Sequence, residues 1–321
     1  MKKLISIVIP AFNEEEGLNE LKRRLQKVLD NLDKYSFEVI IVDNGSSDNT
    51  YKKLLEIRNE DKRFKVIRLS KNFNCDGGIS AGLKYAKGDA AVIMNADLQD
   101  PPEIIPRFIE KWEHGYDIIY GIIKKRVGAS TLRKIVSSVF YQMIYSLTNG
   151  NVPKGVSDFK LIDQRVYEVI NNMPEHNRFL RGMIAWSGFK SIGIPFVRQP
   201  RYKEGGEAKV LGPFQRAKNI KWFFTNAIFT FSDFPLRLIT KVGVLTSLFS
   251  FVLALYFLIG YLIYGTASKG YVKGHTSLIL TLLLMFGILF IFLGVIGQYI
   301  SRIYEEVKQR PLYIVKNKIG V

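Results

Sequence analysis

Cysteine and histidine are scarce: one Cys (Cys75) and three His in 321 residues. A disulfide framework is thereby excluded, and a Cys/His zinc centre has too few ligands. No glycine-rich phosphate loop of the dinucleotide or P-loop kind occurs. The opening MKKLISIVIPAFNEEE imitates a leader, but its apolar run is short and is closed by Pro10, Asn13 and three glutamates, so no cleavable signal is expected. Acids are missing altogether from 121–157 and again from 208–232. What is abundant is basic and apolar: 46 Lys plus Arg against 29 Asp plus Glu, a formal charge of +17, and 47% hydrophobic residues including 22 Phe and 16 Tyr. Disorder, collagen and coiled coil are incompatible with so much apolar material, and the length suits about two domains.

Two runs lack any charge, Val242–Tyr264 and Thr276–Ser301. Each exceeds the roughly 20 apolar residues that carry a helix across a bilayer. Only Gly265–His275 join them, which predicts a helical hairpin with both chain ends on one side. Arg237 and Lys241 precede the first run, and Arg302, Lys308, Arg310, Lys316 and Lys318 follow the second, whereas the connection holds only Lys269 and Lys273. The positive-inside rule then puts the long amino-terminal part in the cytoplasm. The expected organisation is a cytoplasmic domain over 1–235, a transmembrane hairpin over 236–303 and a basic cytoplasmic tail over 304–321.

The first 120 residues alternate short β-branched runs with helical spacing. Strands are expected at Ile5–Ile9, Phe37–Val42, Phe64–Leu69, Ala90–Met94 and Asp117–Tyr120. Between the first two, Leu18, Leu21, Leu25, Val28, Leu29 and Leu32 mark one face of a helix. Strand–helix–strand repetition implies an α/β fold with a mostly parallel sheet covered on both faces. Ligands of such sheets sit beyond the carboxyl ends of the strands. There the chain carries Pro10-Ala11-Phe12-Asn13-Glu14-Glu15, then Asp43-Asn44-Gly45-Ser46-Ser47-Asp48, then Asn95-Ala96-Asp97-Leu98-Gln99-Asp100. Carboxylates in place of a glycine loop suggest a hard cation, Mg2+ or Mn2+, carrying a diphosphate. The alternative for each aspartate is a turn or helix-cap role.

With those residues in view the chain resembles the family 2 glycosyltransferases of GT-A fold, specifically the membrane-anchored polyprenyl-phosphate enzymes related to dolichol-phosphate mannose synthase. The likeness runs through VIPAFNEEE, VDNGSSDNT, LSKNFNCDGGISAGLKYAKGD, NADLQDPPE, GVSDFKLIDQRV, RFLRGMIAWSGFKSIGIPF, YKEGGEAK and FSDFPLRL. It implies that Pro10, Phe12, Glu14 and Asp43 hold the nucleobase and ribose. It implies that Asn95, Ala96 and Asp97, with Gln99 as a further ligand, stand for the metal and diphosphate motif. It also implies that Asp158 is the catalytic base. Three positions depart from the pattern: Phe12 stands for Tyr, Asn44 for a second Asp, and Asn95 for the first Asp of the metal motif. An amide oxygen ligates a cation but brings no charge. Either Asp97 suffices, or the protein is slower than its relatives, or the residue was engineered to trap a complex.

Both acid-free stretches are basic and amphipathic. The first interleaves Lys124, Lys125, Arg126, Arg133, Lys134 and Lys154 with Ile135, Val139, Phe140, Met143, Ile144 and Leu147; the second sets Lys209, Arg216, Lys218 and Lys221 beside Trp222, Phe223, Phe224, Phe229 and Phe231. Such stretches read as helices lying in the membrane interface, about 128–150 and 213–232, with a solvated basic face as the plainer alternative. Nucleic acid is not expected, because the charge clusters beside the spans and no nucleic-acid module appears. Lys124, Arg126, Arg133 and Lys209 are the candidates for an acceptor phosphate, and the resemblance implies that Arg178, Arg181 and Trp186, in the RFLRGMIAW segment, shape the sugar and acceptor side.

The reading is an inverting, metal-dependent glycosyltransferase of the inner (cell) membrane, multi-pass, with its catalytic domain in the cytoplasm. It passes a hexose from a nucleotide sugar, UDP-glucose or a relative, to undecaprenyl or another polyprenyl phosphate for cell-envelope glycosylation. Membrane lipids, a homo-oligomeric copy and a downstream flippase of the lipid-linked sugar complete the expected partners. The alternatives are an Asn95-impaired scaffold on the same fold, or a transferase to a glycan or protein.

Overall fold

A computed structural model describes residues 2–126, 155–176, 178–202 and 275–321, and between 203 and 274 only 239, 241–246, 248–249, 252 and 259. Two compact units emerge, one from Met1–Phe223 with Gln309–Val321, the other from Phe224–Lys308. The strands of the first unit are β1 (Lys3–Ala11), β2 (Tyr35–Asp43), β3 (Phe64–Leu69), β4 (Ala90–Ile93), β5 (Ile118–Arg126), β6 (Val156–Asp163), β7 (Ser191–Arg198) and β8 (Val315–Ile319). Its helices are α1 (Leu18–Leu29), α2 (Thr50–Glu60), α3 (Asn74–Tyr85), α4 (Ile105–Glu113), α5 (Gln164–Asn172) and α6 (Leu180–Trp186).

The strands form one sheet in the order β7-β5-β6-β4-β1-β2-β3-β8. β1 to β4 are mutually parallel, β5 and β7 run with them, and only β6 and β8 run the other way. The sheet is therefore mostly parallel, as the alternation of strand and helix requires. Side chains divide by pleat. Ile5, Ile7 and Ile9 of β1 and Val39 and Ile41 of β2 join the core under α1 and α4, while Ile40 and Val42 turn to the opposite core with Ile67 and Leu69. The apolar stripe of α1 (Leu18, Leu21, Leu25, Val28, Leu29) is buried, and that of α4 is Ile105, Phe108, Ile109 and Trp112. On the opposite face α3 lies so close to β1 that a Cβ at Gly82 would come within 2.3 Å of Val8 Cγ1.

Three strands fall outside the expected set. β6 enters antiparallel between β4 and β5, pairing Lys160 with Ile93 and Leu161 with Val92. An antiparallel strand presents its amino end at the carboxyl edge of its neighbours, so Asp158 arrives beyond the last residue of β4. β7 pairs with β5 from Ser191 opposite Ile118 to Arg198 opposite Arg126. β8, inside the stretch read as a basic tail, closes the β3 edge, with Val66 opposite Ile319.

In the second unit, α7 (His275–Val307) includes Met285–Val307, 23 residues of mean hydropathy 1.7, long and apolar enough to cross a membrane. Of the first uncharged run, Val242–Thr246 are helical, and Val244, Leu245, Leu248 and Phe249 are exposed. Leu248, Phe249, Val252 and Ile259 of that run are helical too; its other residues, the connection as far as Gly274, and both expected interface helices lie outside the described residues, as do Arg133 and Lys209.

Candidate active site

A cleft of about 290 Å3 opens at the carboxyl ends of β1, β2 and β4. Pro10, Ala11, Phe12 and Glu14 line one wall; Asn72, Asn74 and Cys75 form another; Asn95, Ala96 and Asp97 come from the end of β4, and Asn44 from the end of β2. The sheet dictates this meeting, because four parallel strands deliver their exits to one edge. Among the described residues, three of the four non-glycine residues with positive φ, Asn13 (53°), Asn74 (61°) and Leu98 (58°), belong to these exit loops. Left-handed backbone outside glycine costs energy and clusters where loops are held for function.

Hydrogen bonds tie the loops together. Asn13 N–H donates to Ser46 Oγ (3.0 Å), and Asn13 Oδ1 accepts from Ser47 N–H (2.9 Å). Glu14 N–H donates to Thr50 Oγ1 at 2.9 Å. Asn44 is buried and pins the β3–α3 loop: its Nδ2 donates to Asn74 O (2.7 Å) and Asn72 Oδ1 (3.2 Å), while its Oδ1 accepts from Phe73 N–H (2.9 Å). A carboxylate has no donor for those two oxygens, which is a physical reason for the amide at this position.

Asp43 is fully buried behind the cleft and does not line it. Its Oδ1 accepts from Ser46 N–H (3.0 Å), and its Oδ2 faces Arg68 Nε at 3.2 Å without a well-formed hydrogen bond. Phe12 is 41% exposed, a free ring face at the mouth. Glu14 pairs with Arg201. Burial still outweighs that pairing, and with Asp97 and Asp48 nearby it pushes the carboxyl up to about 7. Segment 199–202 lies along the metal-motif loop through Gln199 N–H to Gln99 O (3.1 Å) and Tyr202 N–H to Asp97 O (3.2 Å).

At the end of β4, Asp97 Oδ1 accepts from Gln99 N–H at 3.1 Å. Asn95 Nδ2 donates to Asp100 Oδ2 (3.3 Å), and its Oδ1 accepts from the Cys75 thiol (3.7 Å). Gln99 is not among the lining residues; its Nε2 donates to Gln199 O at 3.4 Å. Asp100 is fully buried beside Arg198, 3.7 Å away, and burial lifts its carboxyl to about 6. Among the described residues, no group of three or more His, Cys, Asp and Glu is placed to hold a metal ion. Two oxygen donors are present, Asn95 Oδ1 and the Asp97 carboxylate. That set suits a hard cation whose other ligands come from a diphosphate and water, as Mg2+ in particular is usually held.

Asp158 is clamped. Arg181 Nε and Nη2 donate to its two oxygens at 2.5 and 2.6 Å. Burial pushes this carboxyl up, but the charge and hydrogen bonds of Arg181, with Lys160 and Arg198 behind them, overcome it and hold it well below the usual carboxylate range. Lys160 on the same strand is buried, which pulls its ammonium down to about 8 despite Asp158. Asp76 beneath them is lifted to about 7 by burial and by the Asp158 charge. Of the acceptor candidates, Lys124 is exposed near the end of β5, and Arg126 is placed by its backbone at the last residue of that strand. Arg178 donates to Met173 O at 2.7 Å, and Trp186 is exposed.

Sequence reading alone did not single out Asn72, Asn74, Asp100, Lys160, Arg198 or Arg201. The asparagines follow β3 as uncharged amides, with Asp76 the nearest acid. Asp100 lies in the loop after β4, where its residue type alone gave it no role, and Lys160, Arg198 and Arg201 are joined to the site by strands β6 and β7, which the alternation pattern did not contain.

The family model for glycosyl transferase family 2 matches residues 6–170. The uncharacterized glycosyltransferase sll0501 of Synechocystis sp. is 39% identical over 99% of this chain and 96% of its own. The bactoprenol glucosyl transferase of Shigella phage SfV is 32% identical over 98% of both. Among solved structures, glucosyl-3-phosphoglycerate synthase from Mycobacterium tuberculosis overlays with a TM-score of 0.48 at 15% identity, over 71% of this chain and 80% of that one. The chain belongs to glycosyl transferase family 2, and it is a glycosyltransferase.

Proposed function

We propose that the protein transfers a hexose from a UDP-sugar to a polyprenyl phosphate, such as undecaprenyl phosphate, at the cytoplasmic face of the cell membrane. The observation that carries this reading is the cleft, where an exposed aromatic face (Phe12) and two oxygen donors (Asn95, Asp97) share about 290 Å3. A base on the ring and a diphosphate at the strand ends fill such a space. The named bactoprenol relatives supply the lipid acceptor and the glucose.

A divalent cation on Asn95 and Asp97 would neutralise charge developing on the leaving diphosphate. The other roles belong to side chains. Phe12 and Pro10 bound the base, with Glu14 beside them and Asp43 behind. The lipid phosphate attacks the anomeric carbon opposite the departing nucleoside diphosphate. A phosphate monoester is already largely ionised at neutral pH, its second pKa being about 6. Asp158, held below the usual carboxylate range, is a weak proton acceptor, so its work is orientation: it fixes Arg181, whose guanidinium meets the incoming phosphate. Lys124, Arg126, Arg133 and Lys209 guide that phosphate from the bilayer surface.

Support for the membrane reading comes from connectivity. Residues before and after the apolar region share one sheet, since β8 pairs with β3. A single crossing would put those strands on opposite sides of the bilayer, so the shared sheet supports an even number of crossings. A hairpin of the two uncharged runs satisfies this, and the excess of Lys and Arg flanking it orients the sheet to the cytoplasm.

The test is formation of a lipid-phosphate sugar in detergent extracts, from labelled UDP-glucose and undecaprenyl phosphate with Mg2+ or Mn2+. Transfer that requires both substrates and stops with Asp97→Asn or with chelation is the expected result. Transfer to protein or glycan, or transfer that survives chelation, overturns the acceptor or the metal respectively.

A further inference from the structure

An ionised carboxylate only accepts hydrogen bonds, so its neighbour in the β4–α4 loop must offer a donor. Asn95 does, through Nδ2 to Asp100 Oδ2 at 3.3 Å. That bond fixes which way the amide faces. The nitrogen is turned to Asp100, and Oδ1 is left on the cleft side, where the Cys75 thiol also reaches it at 3.7 Å. Asp100 itself is fully buried, and its other oxygen, Oδ1, has no hydrogen-bond partner. Arg198 Nε lies 3.7 Å from that oxygen and is likewise without one. The loop therefore carries, one side chain behind the amide, a buried carboxylate whose counter-charge, Arg198, stands on the far oxygen's side.

We propose that Asn95 and Asp100 work as one unit, in which Asp100 supplies the negative charge that position 95 lacks and aims the Asn95 carbonyl oxygen at the cation of the donor diphosphate. Asp100 is thus a positioning residue acting through Asn95, and the amide is the working solution of this loop rather than a defect. The inference rests on the proposed reading of the cleft as the metal and diphosphate site. It also predicts that Asn95→Asp is unfavourable to the loop. A carboxylate at 95 would stand about one hydrogen-bond length from Asp100, where the two must either repel each other or take up a proton, and neither keeps the amide's donor with the negative charge beside it.

The full-length protein in detergent tests this, as Asn95→Asp, Asp100→Asn, the double exchange, and Asp97→Asn. Two quantities are read: the melting temperature without metal, and Mn2+ affinity in the presence of UDP, from the spin-resonance signal of free Mn2+. Asn95→Asp should melt below the parent in the metal-free state. Asp100→Asn should weaken Mn2+ binding at least tenfold. The double exchange, which moves the charge back to position 95 and restores a donor opposite it, should return both quantities to within about threefold and a few degrees of the parent. Effects that simply add in the double variant overturn the proposal, as does an Asp100→Asn protein with parental Mn2+ affinity. Should Asp100→Asn fail to fold, Asn95→Asp decides alone: a metal-free melting temperature equal to or above the parent overturns the pairing. Asp97→Asn separates the two layers. If it leaves Mn2+ binding intact, the reading of the cleft has failed; if it abolishes binding while Asp100→Asn does not, only the pairing has.

Discussion

Replacing Arg181 by Met removes the clamp on Asp158 while keeping a side chain of similar length. The two hydrogen bonds, 2.5 and 2.6 Å, are lost together with the positive charge. Both partners are mostly covered, with side-chain exposures of 17% and 29%. Removing one member of such a pair costs about 3–5 kcal/mol, because the survivor is left as an uncompensated charge. Partial exposure argues for the lower end, about 3 kcal/mol, which in a unit of this size lowers the melting temperature by roughly 6–12 °C. The sign with pH follows from the carboxyl. In the parent its folded pKa is depressed, so the pair contributes stability above the unfolded value near 4 and loses it as pH falls through the folded value. Without Arg181, burial is opposed only by Lys160 and Arg198, and the carboxyl rises. The gap in melting temperature between parent and variant should therefore widen from pH 4 to pH 7. In the transfer assay, kcat should fall, with an acid limb absent from the parent, while UDP affinity stays near the parental value. Differential scanning fluorimetry across pH, followed by initial rates, reads all of this. A gap below about 1 °C at every pH would refute the clamp as a stabilising element, and unchanged kcat would remove Arg181 from the acceptor side.

Glu14→Gln should flatten the pH dependence of stability. A buried carboxyl lifted to about 7 costs stability as pH climbs from the ordinary carboxylate range toward 7, so the variant should gain on the parent over that window; parallel melting curves would contradict it. Gly82→Ala places a Cβ 2.3 Å from Val8 Cγ1 and should destabilise by about 1–3 kcal/mol of overpacking, against a helix-propensity gain of up to ~1 kcal/mol; a melting temperature at or above the parent would mean that α3 can shift on β1. For topology, reporters at the two chain ends should both read cytoplasmic and one at Ser268 extracytoplasmic; ends on opposite sides would break the shared sheet of β3 and β8.

Local structure was legible in the order of residues alone. Continuous β-branched runs could only become buried strands, and the 3.6-residue stripe from Leu18 to Leu29 could only be an amphipathic helix laid on them. Parallel strands fixed which edge would carry a ligand, so Pro10, Phe12, Glu14, Asn95 and Asp97 were legible as neighbours before any coordinates. Asp158 was legible as a motif, but its state was not. That depended on Arg181, 23 residues away, and on Lys160 at its back, and no local pattern records a distance between strands and a helix that meet only after folding. The same holds for Asn95, a lone departure in sequence that becomes half of a hydrogen-bonded pair with Asp100 once the loop closes. β8 is the plainest case. Val315–Ile319 reads as a charged tail because an edge strand buries little side-chain surface; what holds it is the backbone ladder to β3, which exists only in the assembled sheet.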